Sequence, residues 1–249
     1  MLISNSKKFI YIHLHKCAGT SVERALGKTI AWNDILLGST PEGERLQAIY
    51  QTLFGLEKHS SAAEVCAVVG REIWDACYTF ATVRNPYALA VSLYTHSLKV
   101  LRRHTREASA SASAAGANQT ISVNPHVWPW NYPGVRALLA VRGEHTTFSE
   151  FIRSPHLPGW AGFATMRSQL CDANGSLLMR EVFKVEELEA VWPLIVQKTG
   201  VPDVPLGRDN RSVVPGVSFG KFYRPGDADF IRTHYREDFQ LFGYSENVV

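Results

Sequence analysis

Lys16, Thr20 and Ser21 surround Gly19 in the run His15-Lys16-Cys17-Ala18-Gly19-Thr20-Ser21. Lysine supplies a full positive charge, the two hydroxyls supply donors, and a residue without a side chain lets backbone N–H groups come close to an anion. The set suits a phosphate if a helix begins at the loop. A helix N-terminus presents unpaired N–H groups and the positive end of its dipole. The same residues also fit a plain strand-to-helix connection with a solvated lysine. A second set is Arg84 with Ser92. The guanidinium fork matches a phosphate, and Ser92 falls about two helical turns beyond Asn85-Pro86. Its plain alternative is an arginine at a strand end and a serine on an ordinary helix face.

The order of residues narrows the chemistry. A Walker A loop, G-x-x-x-x-G-K-[ST], has its lysine after the second glycine, whereas Lys16 precedes the loop's single glycine. Val83 is followed by Arg84 and not by an acidic residue, so that strand end faces an anion in preference to a metal ion. Open α/β folds bind ligands at the carboxyl ends of their strands. Two anion sites on one such edge suggest a nucleotide with two separate phosphate groups and no obligatory Mg²⁺. Proton transfer would need a base, and nine histidines compete for that role. His13 and His15 lie in or beside the first strand, and His59 stands in Glu57-Lys58-His59-Ser60-Ser61 just ahead of a helix. Glu57 and Glu64 are the runner-up bases.

These residues need elements to hold them. Phe9 to Leu14, Tyr78 to Val83 and Glu181 to Val185 are dense in β-branched and aromatic residues and read as buried strands. Helices are expected from the Thr20-Ser21 cap through Leu26, over Pro41 to Phe54, and over Ser61 to Trp74. Another should run from Asn85-Pro86 to about Val100, with Asn85 as cap and Pro86 in the first position. Further helices are expected over Thr147 to Arg153, Glu187 to Thr199 and Asp227 to Phe239. Glu107 to Asn118 is low-complexity and small-residue rich, and reads as a flexible surface loop. Strands alternating with helices imply an α/β layered fold with a central, mostly parallel sheet flanked by helices. The expected organisation is a single domain over 1–249 with a flexible or acceptor-related insert at about 104–132. Within it, Trp128-Pro129-Trp130-Asn131-Tyr132 could stack on sugar rings or anchor a loop. Arg102, Arg103 and Arg106 could meet an acidic polysaccharide or complement a helix C-terminus.

Composition bounds the rest. The chain has 249 residues, 45% of them hydrophobic and 20% charged, with a net charge of +3. That is ordinary globular usage and excludes a disordered, collagen-like or disulfide-scaffold chain. The balance is too weakly basic to argue for nucleic acid, and no run approaches the roughly 18 apolar residues of a membrane span. The short apolar stretch after Lys7-Lys8 contains two histidines and has no small-residue cleavage site, so it does not read as a signal peptide. Cys17, Cys66, Cys77 and Cys171 lie far apart with no C-x-x-C pair. Reduced thiols in a cytoplasmic protein are therefore expected.

The stretch FIYIHLHKCAGTSVERAL resembles the 5′-phosphosulfate loop of the carbohydrate-type (family 2) sulfotransferases, and YTFATVRNPYALAVSLY resembles their 3′-phosphate motif. The resemblance continues through KHSSAAEV, SQLCDANGSLLMREVFKVEEL and HYREDFQLFGY, in order along the chain. It implies a three-layer P-loop-like fold and 3′-phosphoadenosine 5′-phosphosulfate (PAPS) as sulfuryl donor, with PAP as product and no metal. It further implies that Lys16, Cys17, Ala18, Gly19, Thr20 and Ser21 hold the 5′-phosphosulfate and that Arg84 and Ser92 hold the 3′-phosphate. Lys221 and Tyr223 would then belong to a basic-aromatic loop over the nucleotide. Lys16 and His59 would be the catalytic pair, His59 as general base. The implied acceptor is a hydroxyl of a glycan or glycosylated small molecule. The competing readings are a P-loop-like nucleotide kinase and a non-catalytic nucleotide-binding protein.

Overall fold

Phe9, Tyr11 and Phe80 alternate along their strands and so face one side of a sheet. The computed structural model describes residues 1–114, 127–207 and 219–248. Five strands form one sheet in the order β3-β1-β2-β4-β5. They are β1 (Leu2–Ser4), β2 (Phe9–Ile12), β3 (Ile35–Leu36), β4 (Tyr78–Val83) and β5 (Glu181–Lys184). The three strands expected from sequence are its parallel part: β2 pairs with β4, setting Tyr11 opposite Phe80, and β4 pairs with β5. The sheet is mixed because β1 adds antiparallel to β2 and β3 antiparallel to β1. Eleven α-helices accompany it among the described residues: α1 (Gly19–Leu26), α2 (Pro41–Phe54), α3 (Ala62–Val69), α4 (Arg71–Ala76), α5 (Pro86–Ala114), α6 (Pro133–Leu139), α7 (Phe148–Ile152), α8 (Met166–Leu170), α9 (Leu188–Thr199), α10 (Asp227–His234) and α11 (Arg236–Leu241). The α/β class expected from the alternation of strands and helices is the one observed.

The chain divides into two compact units. Described residues within 1–86, 164–211 and 234–246 form the first, and those within 87–163, 212–233 and 247–249 the second. The first unit holds the sheet. On one face, Leu2, Phe9, Tyr11, Leu36 and Phe80 pack with Val22, Ala25 and Leu26 of α1 and with Leu188, Trp192, Ile195 and Val196 of α9. The alternate positions Ile10, Ile12, Ala81 and Val83 are buried as well, as a sheet with a parallel centre requires. Several helix boundaries follow from local chemistry. Thr40 accepts from the Gly43 N–H to start α2, and Gly55 ends it with φ 68°. The single helix expected over Ser61 to Trp74 is two, because Gly70 breaks it at φ 86°. Ser61 and Glu64 form a capping box at the start of α3. The helix expected over Asp227 to Phe239 is likewise two, α10 and α11.

In the second unit the expected loop over Glu107 to Asn118 is corrected. Helix α5 does not end near Val100 but runs to Ala114. Alanine is the strongest helix former, and the first glycine after Val100 is Gly116. Residues 115–118 lie outside the described residues. Of the insert placed at about 104–132, residues 104–114 are therefore helix. The aromatic segment folds onto its own unit: the Tyr132 ring packs against Trp128 at 5.2 Å and Trp160 at 5.0 Å between centroids. Asp227 accepts from Ser149 at 2.6 Å and pairs with Arg153 at 2.5 Å, which ties α10 to α7.

Candidate functional site

The loop after β2 turns on two left-handed residues, Lys16 with φ 59° and Ala18 with φ 62°. Neither is glycine, so each carries a strain of about 1 kcal/mol or more that surrounding bonds must hold. Left-handed residues at alternating positions turn successive N–H groups into one concavity, an arrangement that suits an anion. Ala18 also caps α1 with backbone alone, in place of the hydroxyl cap expected from Thr20 or Ser21. Ser21 is buried within the first turn of α1, and Thr20 is half-buried.

Three groups hold the loop. Thr82 donates to the Cys17 carbonyl at 2.5 Å, and its oxygen accepts in turn from the buried Tyr11 hydroxyl at 2.7 Å. Arg84 donates through Nη1 to the Lys16 carbonyl at 3.2 Å. Met166 places its sulfur 3.4 Å from the Arg84 N–H and 4.0 Å from the Cys17 thiol. Arg84 and the 16–21 loop thus converge at the carboxyl edge of β2 and β4. Burial lowers the Arg84 pKa from its ordinary value, but an arginine keeps its charge. Burial pushes the Cys17 thiol up to about 12. Cys17 is therefore a protonated thiol whose part in the loop is its carbonyl.

Gly19 has a different reason from the one its sequence context suggested. A Cβ built on it would sit 2.0 Å from Cδ2 of the His13 ring. The imidazole fills the place of the missing side chain, so packing within the protein already requires glycine here. His13 Nδ1 lies 2.9 Å from Oε1 of Glu23 on α1. Glu23 is fully buried, pairs with the Met1 ammonium and accepts from Ser39. Burial works against its ionisation, yet His13 and the Met1 ammonium hold its carboxyl down at about 2.

His59 completes the cluster. Its ring stacks on His15 at 3.6 Å and meets His13 edge-on at 4.7 Å between centroids. Nδ1 lies 2.9 Å from the His13 carbonyl. A carbonyl only accepts, so Nδ1 carries a proton and the neutral ring keeps its lone pair on Nε2. Burial first, then His15 and His13, hold the His59 pKa well below 6.5. The ring is half-buried, neutral at physiological pH, and stacked on the residue that precedes Lys16 in the chain. The Glu64 carboxylate is engaged in the α3 cap, accepting from Ser61 N at 2.7 Å and Ser61 Oγ at 2.9 Å.

Ser92, Lys221 and Tyr223 belong to the second unit. Ser92 is fully buried and its hydroxyl has no hydrogen-bond partner among the described residues. Tyr223 donates to the Tyr87 carbonyl at 2.9 Å and packs edge-on against that ring at 5.4 Å. Lys221 is exposed on the short 3-10 turn Phe219–Phe222. Sequence reasoning missed Glu23, Thr82, Met166 and Asp238. Asp238 accepts from the Met166 N–H at 2.9 Å and the Arg167 N–H at 2.7 Å, and so sets the start of α8. Glu23 had a signal: an acidic residue beside Val22 and Leu26 on a short helix with a buried face.

The sheet edge of this α/β protein joins a strained loop, a half-buried arginine and a neutral histidine. The family model described as Sulfotransferase family matches residues 1–245, and the chain belongs to that family, sulfotransferase family 2. No curated protein and no solved structure matches the chain. Among the described residues no helix is long and apolar enough to cross a membrane.

Proposed function

We propose that the protein moves a sulfuryl group from PAPS to a hydroxyl of a glycan or glycosylated small molecule, as one sulfotransferase domain over 1–249. The single observation that carries this reading is the convergence of the 16–21 loop, Arg84 and the neutral His59 on one strand edge. The acceptor hydroxyl attacks sulfur and gives its proton to His59 Nε2. The bond from sulfur to the bridging oxygen breaks, and its electron pair stays on the 5′-phosphate of PAP. Lys16 and the loop amides neutralise the charge that develops there, and fixed donors of this kind are the largest contribution in many transfer reactions. The buried, partnerless hydroxyl of Ser92 is the type of atom a phosphate oxygen satisfies. Lys221 and Tyr223 are proposed as nucleotide contacts on the resemblance of their loop.

Thermal unfolding with added ligand tests the reading. PAP at 100 times its Kd should stabilise the protein by about 2.7 kcal/mol, with or without chelator. A shift that requires ATP with Mg²⁺ would favour a nucleotide kinase. PAP binding without PAP release from PAPS across a panel of hydroxyl acceptors would favour a non-catalytic nucleotide-binding protein.

A further inference from the structure

Glu23 places a charge where water does not reach: its side chain is fully buried, one helical turn after Gly19 on α1. A buried ion pair adds little net stability over packed apolar residues, so stability alone does not account for a carboxylate here. Its contacts are His13 Nδ1 at 2.9 Å, the Met1 ammonium and the Ser39 hydroxyl. Of these, His13 leads to the site. Burial holds its imidazole below the ordinary pKa, so the ring is neutral, and a carboxylate only accepts. The neutral ring therefore turns its one N–H, on Nδ1, to Glu23. That contact fixes the ring in the slot beside Gly19, where an added Cβ would meet it at 2.0 Å. It also steadies the main chain of His13. Strand β2 stops at Ile12, so His13 lies beyond the ladder of the sheet, and its carbonyl is the group that His59 Nδ1 meets at 2.9 Å.

We propose that Glu23 is a positioning residue for both halves of the site. Through the His13 ring it holds the 16–21 loop in shape for an anion, and through the His13 carbonyl it fixes which nitrogen of His59 keeps the lone pair. The roles of donor loop and base rest on the sulfotransferase reading; the chain from Glu23 through His13 to His59 does not. All three residues and the loop belong to the first unit. The contact closes residues 14–22 into a ring. Within that ring Lys16 and Ala18 hold left-handed backbone, which persists only where the surroundings over-determine it. A carboxylate behind an imidazole sets its tautomer and orientation in many catalytic sites. Here the effect reaches the second imidazole through a carbonyl.

NMR of the ring nitrogens in the histidine-labelled full chain tests the proposal, with His13 and His59 assigned by the signals lost in His13→Phe and His59→Gln. In the wild type both rings should carry the proton on Nδ1. Glu23→Gln keeps the shape of the side chain and removes its charge. It should turn the single His59 tautomer into a mixture. It should also weaken PAP binding and slow PAP release from PAPS, each by about tenfold or more, the scale of losing the partner that orients a ring. Asp34→Ala is the control for simple loosening. It removes three hydrogen bonds beside β3 in the same unit and should leave the His59 signals and PAP affinity as in the wild type. Should Glu23→Gln not fold, His13→Phe, which keeps a ring in the slot and removes the nitrogen that meets Glu23, is read by its PAP affinity and its His59 signals. If neither variant folds, the wild-type tautomers decide. A proton on Nε2 of either ring in the wild type overturns the proposal. So do wild-type His59 signals or wild-type PAP affinity in Glu23→Gln, and so do equal changes in Asp34→Ala. A wild-type protein that fails to bind PAP, with the His59 response to Glu23→Gln kept, would defeat the sulfotransferase reading and leave the chain of contacts standing.

Discussion

His59 presents Nε2 because Nδ1 is spent on the His13 carbonyl, and Lys16 is held through its own carbonyl by Arg84. Each therefore has a separable test. Lys16→Ala should lower PAP release from PAPS by about 10²-fold or more, the scale of one removed transition-state donor. His59→Ala should lower it by about 10²–10⁴-fold, the range of a positioned base, with PAP affinity kept within a few-fold. Turnover close to wild type in either variant would remove that residue from the mechanism. Gly19 is argued at the same scale. Gly19→Ala forces a methyl into the His13 ring and should destabilise by about 1–3 kcal/mol, the usual penalty of overpacking. In a His13→Ala background the added penalty should shrink, since the ring no longer fills the space. Equal penalties in both backgrounds, measured by urea unfolding, would show that the slot is not the cause.

At the scale of elements, Asp238 on α11 accepts two backbone N–H groups at the start of α8, and α8 carries the Met166 sulfur that touches Arg84 and Cys17. Asp238→Ala leaves both amides unmet and should cost about 1–3 kcal/mol; Asp238→Asn keeps an acceptor and should cost less. Equal losses would mean that charge, not acceptance, is what α8 needs. Such a link joins residues far apart in the chain and leaves no local pattern, so the sequence did not disclose it. What was legible was local. Strand β4 matched its expected limits because Tyr78 to Val83 is β-rich and closes at Arg84-Asn85-Pro86, and α2 matched because Thr40-Pro41 opens it and Gly55 ends it. Strands β1 and β3 were missed: three and two residues give no periodicity to read. The end of α5 was missed because alanine and serine were read as loop composition, whereas alanine propensity prevailed. In the site, Lys16, Gly19, Arg84 and His59 were legible as residue types, but His13 and Glu23, which brace them, were visible only once β2 and α1 were packed together.

Across the whole molecule the buried ionisable groups set how stability follows pH. Burial holds His13 and His59 below their ordinary 6.5 in the folded protein. The unfolded chain binds protons near 6.5 that the native state refuses, so this contribution is full above that pH and falls as the pH drops below it. Each group contributes at most about 1.4 kcal/mol per pH unit. Glu23 acts in the same direction lower down: its share is present above 4.5 and lost as the pH falls towards 2. Asp238 opposes them. Burial pushes its carboxyl from 3.8 up to about 6, so its share is full below 3.8 and lost as the pH rises through 6. Between pH 6.5 and 5 two histidines therefore outweigh one aspartate, and Tm should fall as the pH is lowered from 7 to 5. Asp238→Asn should steepen that fall by removing the opposing group, and His59→Gln should flatten it. A Tm that holds level or rises between pH 7 and 5 would show that the imidazoles keep their protons in the folded state, and a protonated His59 could not take one from an acceptor.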